Sequence, residues 1–145
     1  MKIEIVNQDL FKVEQGYYLA HCISADFSLG AGIAKQFNEK YNMKHKLKNL
    51  YYDYKFGNEG NALLVDNVFN LVTKNRCYDK PTYDTLAESL AEMREQMEDL
   101  EITKLAMPKI GCGLDRLAWD QVYQIIEDIF YDMDAEILIC TIDKE

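Results

Sequence analysis

"TKLAMPKIGCGLDRLAWDQVYQIIEDIFYDMDAEILICTI" (residues 103–142) decides the fold. Its first part, "TKLAMP" (103–108), is a short apolar run stopped by Pro108 and reads as a buried strand. Residues 110–115 place glycines on both sides of Cys112 and follow them with Asp115, the composition of a turn. Over 118–131, Trp119, Val122, Ile126 and Ile129 recur at helical spacing and form one stripe. "AEILICTI" (135–142) closes the stretch as a strand. Upstream, "PTYDTLAESLAEMREQMEDL" (81–100) is the clearest helix of the chain, with Leu86, Leu90, Met93 and Met97 on one side. Thr82 or Thr85 suits its cap, and Asp84 and Glu88 suit its positive end. Strand candidates near 62–65 and 67–72 precede it, behind the turn signals of "KFGNEGNA" (55–62). The alternation of strand and helix predicts an α/β domain with a largely parallel sheet covered by helices on both faces. In such sheets ligands lie outside the carboxyl ends of the strands.

The earlier half fits the same plan. "KIEIV" (2–6) alternates like a strand, and "GYYLAHC" (16–22) reads as a more buried one. "AGIAKQFNEKYN" (31–42) predicts a helix with Ile33, Ala34, Phe37 and Tyr41 on one side, and residues 43–50 add a further helical turn or two. His21, inside the strand, reads as a core histidine with its hydrogen bonds met, not as a base. No repeat or linker interrupts the 145 residues, which suit one domain spanning 1–145.

Composition narrows the function. Hydrophobic content of 48% is that of a globular chain, and no apolar run approaches the ~20 residues that cross a bilayer. The N-terminal stretch lacks the apolar block of a signal peptide, so a cytosolic location and no membrane partner are expected. Cys22, Cys77, Cys112 and Cys140 form no C-x-x-C pair and no metal spacing with His21 or His45, so they read as buried, reduced thiols and no metal site is expected. A net charge of −9 opposes extended nucleic-acid contact, although backbone N–H groups can still hold a small anion. No sustained heptad pattern is present, and a monomer is expected.

Two glycine turns suggest where such an anion would sit. "SLGAGIAKQF" (28–37), like the 110–115 turn, passes from a strand into a helix, and each could present amides from a helix N-terminus. Neither matches a G-x-G-x-x-G or P-loop signature, but on one sheet edge the two favour a diphosphate.

The segments "NQDLF" (7–11), "AHCISADFSLGAGIA" (20–34), "LVTKNRCYDKPTY" (71–83) and "MPKIGCGLDRLAW" (107–119) resemble the signature segments of macrodomains, most closely the terminal ADP-ribose protein glycohydrolase branch. The resemblance implies a three-layer α/β/α sandwich around a mixed central sheet, and an ADP-ribosyl hydrolase that needs no cofactor. Its partners would be ADP-ribose and an ADP-ribosylated macromolecule. By that resemblance Asp9 takes the adenine amino group and Leu10 helps fix the base. Ile23 and Ser24 line the ribose side. Gly30, Ala31, Gly32 and Ile33 wrap the diphosphate from one side, and Gly111, Cys112, Gly113 and Leu114 from the other. Thr73, Pro108 and Ile110 complete the binding set, and Lys74 and Asp115 match the catalytic pair. Gln8 stands where many relatives have glycine. Asp26 lies near the position where other branches carry a catalytic asparagine, which favours the lysine route.

That route is nucleophilic. A neutral lysine amine attacks the anomeric carbon of an ADP-ribosyl ester, or its ring-opened aldehyde form, and water later releases the lysyl–ribose intermediate. A free lysine, with pKa near ~10.4, is protonated at neutral pH, and a neighbouring carboxylate favours the charged form further. Asp115 therefore cannot activate Lys74 by charge alone. It must accept a proton or orient a substrate hydroxyl, while desolvation under the distal ribose favours the neutral amine. Hydrolysis of ADP-ribose from protein Glu/Asp esters is the leading expectation. The alternatives are an ADP-ribose 1″-phosphate phosphatase, removal of ADP-ribose from a DNA base, and a reader that binds without cleaving.

Overall fold

The structure, a computed structural model, describes residues 1–142. The single-domain span expected over 1–145 therefore ends in three residues that lie outside the described ones. The strands are β1 (Lys2–Asn7), β2 (Tyr18–Ser24), β3 (Asn61–Val65), β4 (Val68–Lys74), β5 (Lys104–Met107) and β6 (Glu136–Thr141). The helices are α1 (Gly32–Tyr41), α2 (Met43–Leu50), α3 (Tyr83–Asp99) and α4 (Trp119–Phe130). The strands form one sheet in the order β1-β6-β5-β2-β4-β3, parallel except for the antiparallel pair β3–β4. The sheet is thus mixed, with a single antiparallel edge strand on an otherwise parallel array.

Strand residues alternate between two cores, which makes the three layers. On one face Leu86, Leu90, Met93 and Met97 of α3 and Val122, Ile126 and Phe130 of α4 pack on Phe69 and Leu71 of β4, Leu105 and Met107 of β5, and Ile137 and Ile139 of β6. On the other, Phe37 of α1 and Met43 and Leu47 of α2 pack on Leu19 and Ile23 of β2 and Val68 and Val72 of β4. Full burial of each such side chain contributes about 1.5–3 kcal/mol. Thr82 caps α3: its hydroxyl accepts from the Thr85 amide, and the Thr85 hydroxyl accepts from the Thr82 amide.

Four local expectations change. The strand expected at 16–22 runs over 18–24, because its pairing with β4 and β5 begins only at Tyr18 and Leu19. The helical turns expected over 43–50 are present as α2, but Asn42, with a left-handed φ of 54°, separates them from α1. Not all thiols are buried: Cys140 is, Cys22 and Cys112 are partly so, and Cys77, in the loop after β4, is exposed. His21 is fully buried against Phe37, but only one ring nitrogen is paired. Nε2 bonds the Asn70 side-chain oxygen at 2.5 Å, while Nδ1 has no partner among the described residues. Asn70 is held in turn by donating to the Leu63 carbonyl.

Burial pushes the His21 pKa down to about 4, against a weaker opposing effect of the Asn70 bond. The unfolded chain, with an ordinary histidine near ~6.5, then binds a proton between pH 6.5 and 4 that the folded chain does not. Stability should fall as pH drops through that window, by roughly 3 kcal/mol, and gain no further His21 slope below it. Urea titrations from pH 7 to 4 should show a shallower pH slope in His21→Gln than in the wild-type protein, whatever the variant's absolute stability.

Candidate active site

Three adjacent parallel strands, β4, β2 and β5, end at the same edge, and a cleft of about 520 Å³ opens there. This is within the range of small-ligand sites. β2 contributes Ile23 and Ser24 at the base. The 28–34 loop forms one wall with Gly30, Ala31, Gly32 and Ile33. Ala31 is the N-cap of α1 and no side chain among the described residues caps that terminus, so its first amides keep their donors for an anion. Pro108, Ile110, Gly111, Gly113 and Leu114, after β5, form the opposite wall.

Lys74 is the last residue of β4. The β2–β4 register slips by one between Ile23 and Ser24, so Ser24 pairs with Lys74 and Thr73 is left as the extra residue. A bulge of this kind re-aims the chain at the end of a ladder. Lys74 Nζ lies 2.8 Å from Asp115 Oδ1, across 41 residues of sequence. Both side chains line the cleft and are nearly shielded from water, 15% and 17% exposed. The amine and the acid are therefore brought together inside the concave site.

The glycines divide by role. Gly111 has φ +73°, and a Cβ there would sit 2.9 Å from Leu117 Cδ1. Gly32 has φ +58°, and a Cβ would approach Leu114 Cδ1 at 3.2 Å. Gly30 and Gly113 need no left-handed backbone, and around Gly113 a Cβ would meet nothing within 4 Å. The second turn also departs from expectation, since it does not lead straight into a helix. One further turn, closed by the Arg116 amide on the Gly113 carbonyl and with Arg116 at φ 61°, intervenes before α4 begins at Trp119. The Ala118 amide, at the positive end of α4, donates to the Tyr83 hydroxyl instead of facing a ligand. Asp115 is thus placed by Lys74 and not by a helix dipole.

Four expected site residues lie outside the cleft lining. Asp9 caps a short 3-10 turn, its carboxylate accepting from the Phe11 amide at 2.9 Å, and Leu10 is buried in the core. Both follow the edge strand β1, two strands away from β5. Thr73 is buried, its carbonyl accepting from the Thr85 hydroxyl, and Cys112 turns inward, its thiol donating to the Ile110 carbonyl. Conversely Cys22, Ser28, Leu29, Ala34, Cys77, Tyr78, Lys80 and Lys109 line the cleft without having been assigned to the site in sequence. Ser28, Leu29, Ala34 and Lys109 adjoin the glycine turns and could have been found by extending them. Tyr78 and Lys80 lie within the 71–83 segment of the resemblance but adjoin no glycine turn.

Cys22 and Cys112 are poor nucleophiles here. Burial pushes the Cys22 thiol up to about 12, helped by the charge of Asp115, and burial also raises that of Cys112. For Asp26, burial alone would raise the carboxyl, but hydrogen bonds from Ser24, Cys77 and Ser28 outweigh it and hold the group below the usual carboxylate range. Among the described residues no three of His, Cys, Asp and Glu come together in a set that could hold a metal ion. With Lys74, Lys80 and Lys109 on its walls, the cleft is locally cationic in a chain of net charge −9.

ADP-ribose glycohydrolase OARD1 of Bos taurus is 41% identical over 143 residues, covering 97% of this chain and 92% of that protein. The Homo sapiens protein of the same name is 40% identical over the same span. Among solved structures, the macrodomain of Mycobacterium tuberculosis DarG superposes with a TM-score of 0.86 at 21% identity, covering 97% of this chain and 98% of that one. Thermosipho africanus DarTG in complex with ADP-ribose gives 0.83 at 15% identity, over 99% of this chain and 43% of that one. These two likenesses concern the fold alone. The Macro domain family model matches residues 20–126. This protein belongs to the Macro domain family.

Proposed function

We propose that this protein is an ADP-ribosyl hydrolase that releases ADP-ribose from modified acceptors, foremost Glu and Asp esters of proteins. The observation that carries the reading is the 2.8 Å contact between Lys74 and Asp115 inside the cleft. The name of the OARD1 relatives, ADP-ribose glycohydrolase, supports the same activity. Amides of residues 30–33 and 110–114 would hold the diphosphate between the two walls. The distal ribose would then lie over the amine and the acid. Asp9 and Leu10, at the β1 end of the same sheet edge, would take the adenine.

An amine in an ion pair carries the proton it must lose before it can attack. In the proposed step a Lys74 proton passes to Asp115 as the ribose covers the pair and displaces water. The Nζ lone pair then forms a bond to the anomeric carbon, and the carbon–oxygen bond to the acceptor breaks, releasing a carboxylate. Water adds to the lysyl–ribose carbon, the carbon–nitrogen bond breaks, and free ADP-ribose leaves the protonated amine; Asp115 gives its proton to solvent, which restores the ion pair. ADP-ribose 1″-phosphate and base-linked ADP-ribose carry their leaving groups at the same carbon and are secondary substrates in this reading. We also place the protein in the cytosol, as a monomer; four unpaired cysteines suit a reducing compartment.

Lys74→Ala should abolish the covalent adduct seen by mass spectrometry and lower kcat by about 10³-fold or more, whereas Asp115→Ala should lower kcat by about 10²–10⁴-fold. Full turnover by the lysine variant would refute the mechanism. On a panel of substrates, release from glutamate- or aspartate-linked protein should outpace release from thymidine-linked DNA and from the 1″-phosphate. Gly111→Ala should cost about 1–2 kcal/mol in denaturant unfolding, because alanine resists the left-handed backbone there. Gly113→Ala should stay within ~0.5 kcal/mol of wild type and show its effect in weaker ADP-ribose binding by calorimetry.

A further inference from the structure

The segment joining β2 to α1 contains two left-handed residues that are not glycine, Phe27 at φ 51° and Leu29 at φ 43°, both buried. Backbone of this kind persists only where the surroundings hold it. Asp26 supplies much of that hold. Its Oδ1 accepts from the Ser24 hydroxyl at 2.5 Å and from the Ser28 amide at 3.1 Å, closing a turn around Phe27. Its Oδ2 accepts from the Cys77 amide at 2.9 Å, 51 residues away. The backbones run together at the same place, with the Ala25 amide donating to the Lys74 carbonyl and the Asp26 amide to the Asn75 carbonyl. Asp26 does not line the cleft, but Ser28, Gly30 and Gly32 on one side of it do, and so do Lys74, Cys77 and Tyr78 on the other.

We propose that Asp26 is a positioning residue: one carboxylate oxygen shapes the glycine loop, and the other clasps that loop to the wall that follows Lys74. A single group then sets both the diphosphate-facing amides and the place of the amine, so holding the diphosphate tightens the wall beside the reacting carbon. The arrangement needs a carboxylate. Three donors converge on two acceptor oxygens, whereas an asparagine has one acceptor oxygen and an NH₂. With its oxygen toward Ser24 and Ser28, an asparagine would set its NH₂ against the Cys77 N–H, donor against donor. In the reverse orientation it would open the turn. The favoured orientation satisfies two donors and breaks the clasp.

The part of the proposal that concerns turnover rests on the hydrolase reading above, and the part that concerns the clasp does not. The test compares Asp26→Asn and Asp26→Ala with wild type in amide exchange at Ser28 and Cys77, ADP-ribose affinity by calorimetry, and kcat and KM on an ester-linked ADP-ribosylated protein. In Asp26→Asn the Cys77 amide should exchange at least about tenfold faster while Ser28 keeps its protection. The Kd for ADP-ribose should stay within about threefold, and kcat should fall about tenfold with KM little changed. In Asp26→Ala both amides should lose protection and ADP-ribose binding should weaken about tenfold as well. Unchanged Cys77 protection in Asp26→Asn, wild-type kcat in that variant, or a fall in kcat matched by a rise in Kd in both variants would overturn the proposal. If the wild-type protein releases ADP-ribose from no acceptor, the hydrolase reading fails, and exchange decides the clasp alone. ADP-ribose should then still slow exchange at Cys77 in wild type and not in Asp26→Asn, and equal slowing in both would overturn it.

Discussion

The position of β2 between β4 and β5, parallel to both, is the constraint on which this molecule's site depends. Parallel neighbours end at the same edge of a sheet, so whatever follows each strand is delivered to one place. Delivered there are the 25–31 loop after β2, Lys74 at the end of β4 with the 75–81 segment behind it, and the turns over 108–115 after β5. Had β4 been antiparallel to β2, its lysine would lie at the opposite edge from both glycine turns. The one antiparallel strand, β3, sits at the rim beyond β4 and does not disturb this arrangement.

Within that frame the walls are made of backbone and the reacting groups of side chains. Gly32 and Gly111 have backbone conformations that a larger residue resists, and both face close neighbours, Leu114 and Leu117, from the second turn region. The cost of such backbone is offset locally by hydrogen bonds, including the Leu117 amide to the Gly111 carbonyl at 2.7 Å and the donors gathered on Asp26. Low exposure of Lys74 and Asp115 keeps water from screening the pair, and the surrounding lysines reverse locally the sign of an acidic protein. The charge of the whole chain therefore describes its surface but not its cleft.

Much of the fold was readable from periodicity. Leu86, Leu90, Met93 and Met97 share a stripe because a helix returns to the same face every three or four residues, and all four are buried. The alternation of strand and helix after residue 60 carried the parallel sheet, since parallel neighbours need crossovers. Less readable were boundaries set by partners: β2 starts where β4 and β5 reach it, and Asn42 splits two helices by a single left-handed residue. His21 showed its burial through its strand but not its half-met hydrogen bonding, which depends on Asn70 from another strand.

The sequence by itself determined the glycine turns, the stripes that cover the sheet, and the presence of a lysine after one strand and an acid after another, because each is written in neighbouring residues. Only the tertiary structure decided that Nζ of one and Oδ1 of the other meet at 2.8 Å. That contact depends on strand order and on the bulge at Thr73, which are relations between segments far apart in the chain, and on the local turn that carries Asp115. Asp26 shows the same division. Its turn with Ser28 is local and could be read from spacing, while its bond to Cys77 exists only because β2 and β4 lie side by side.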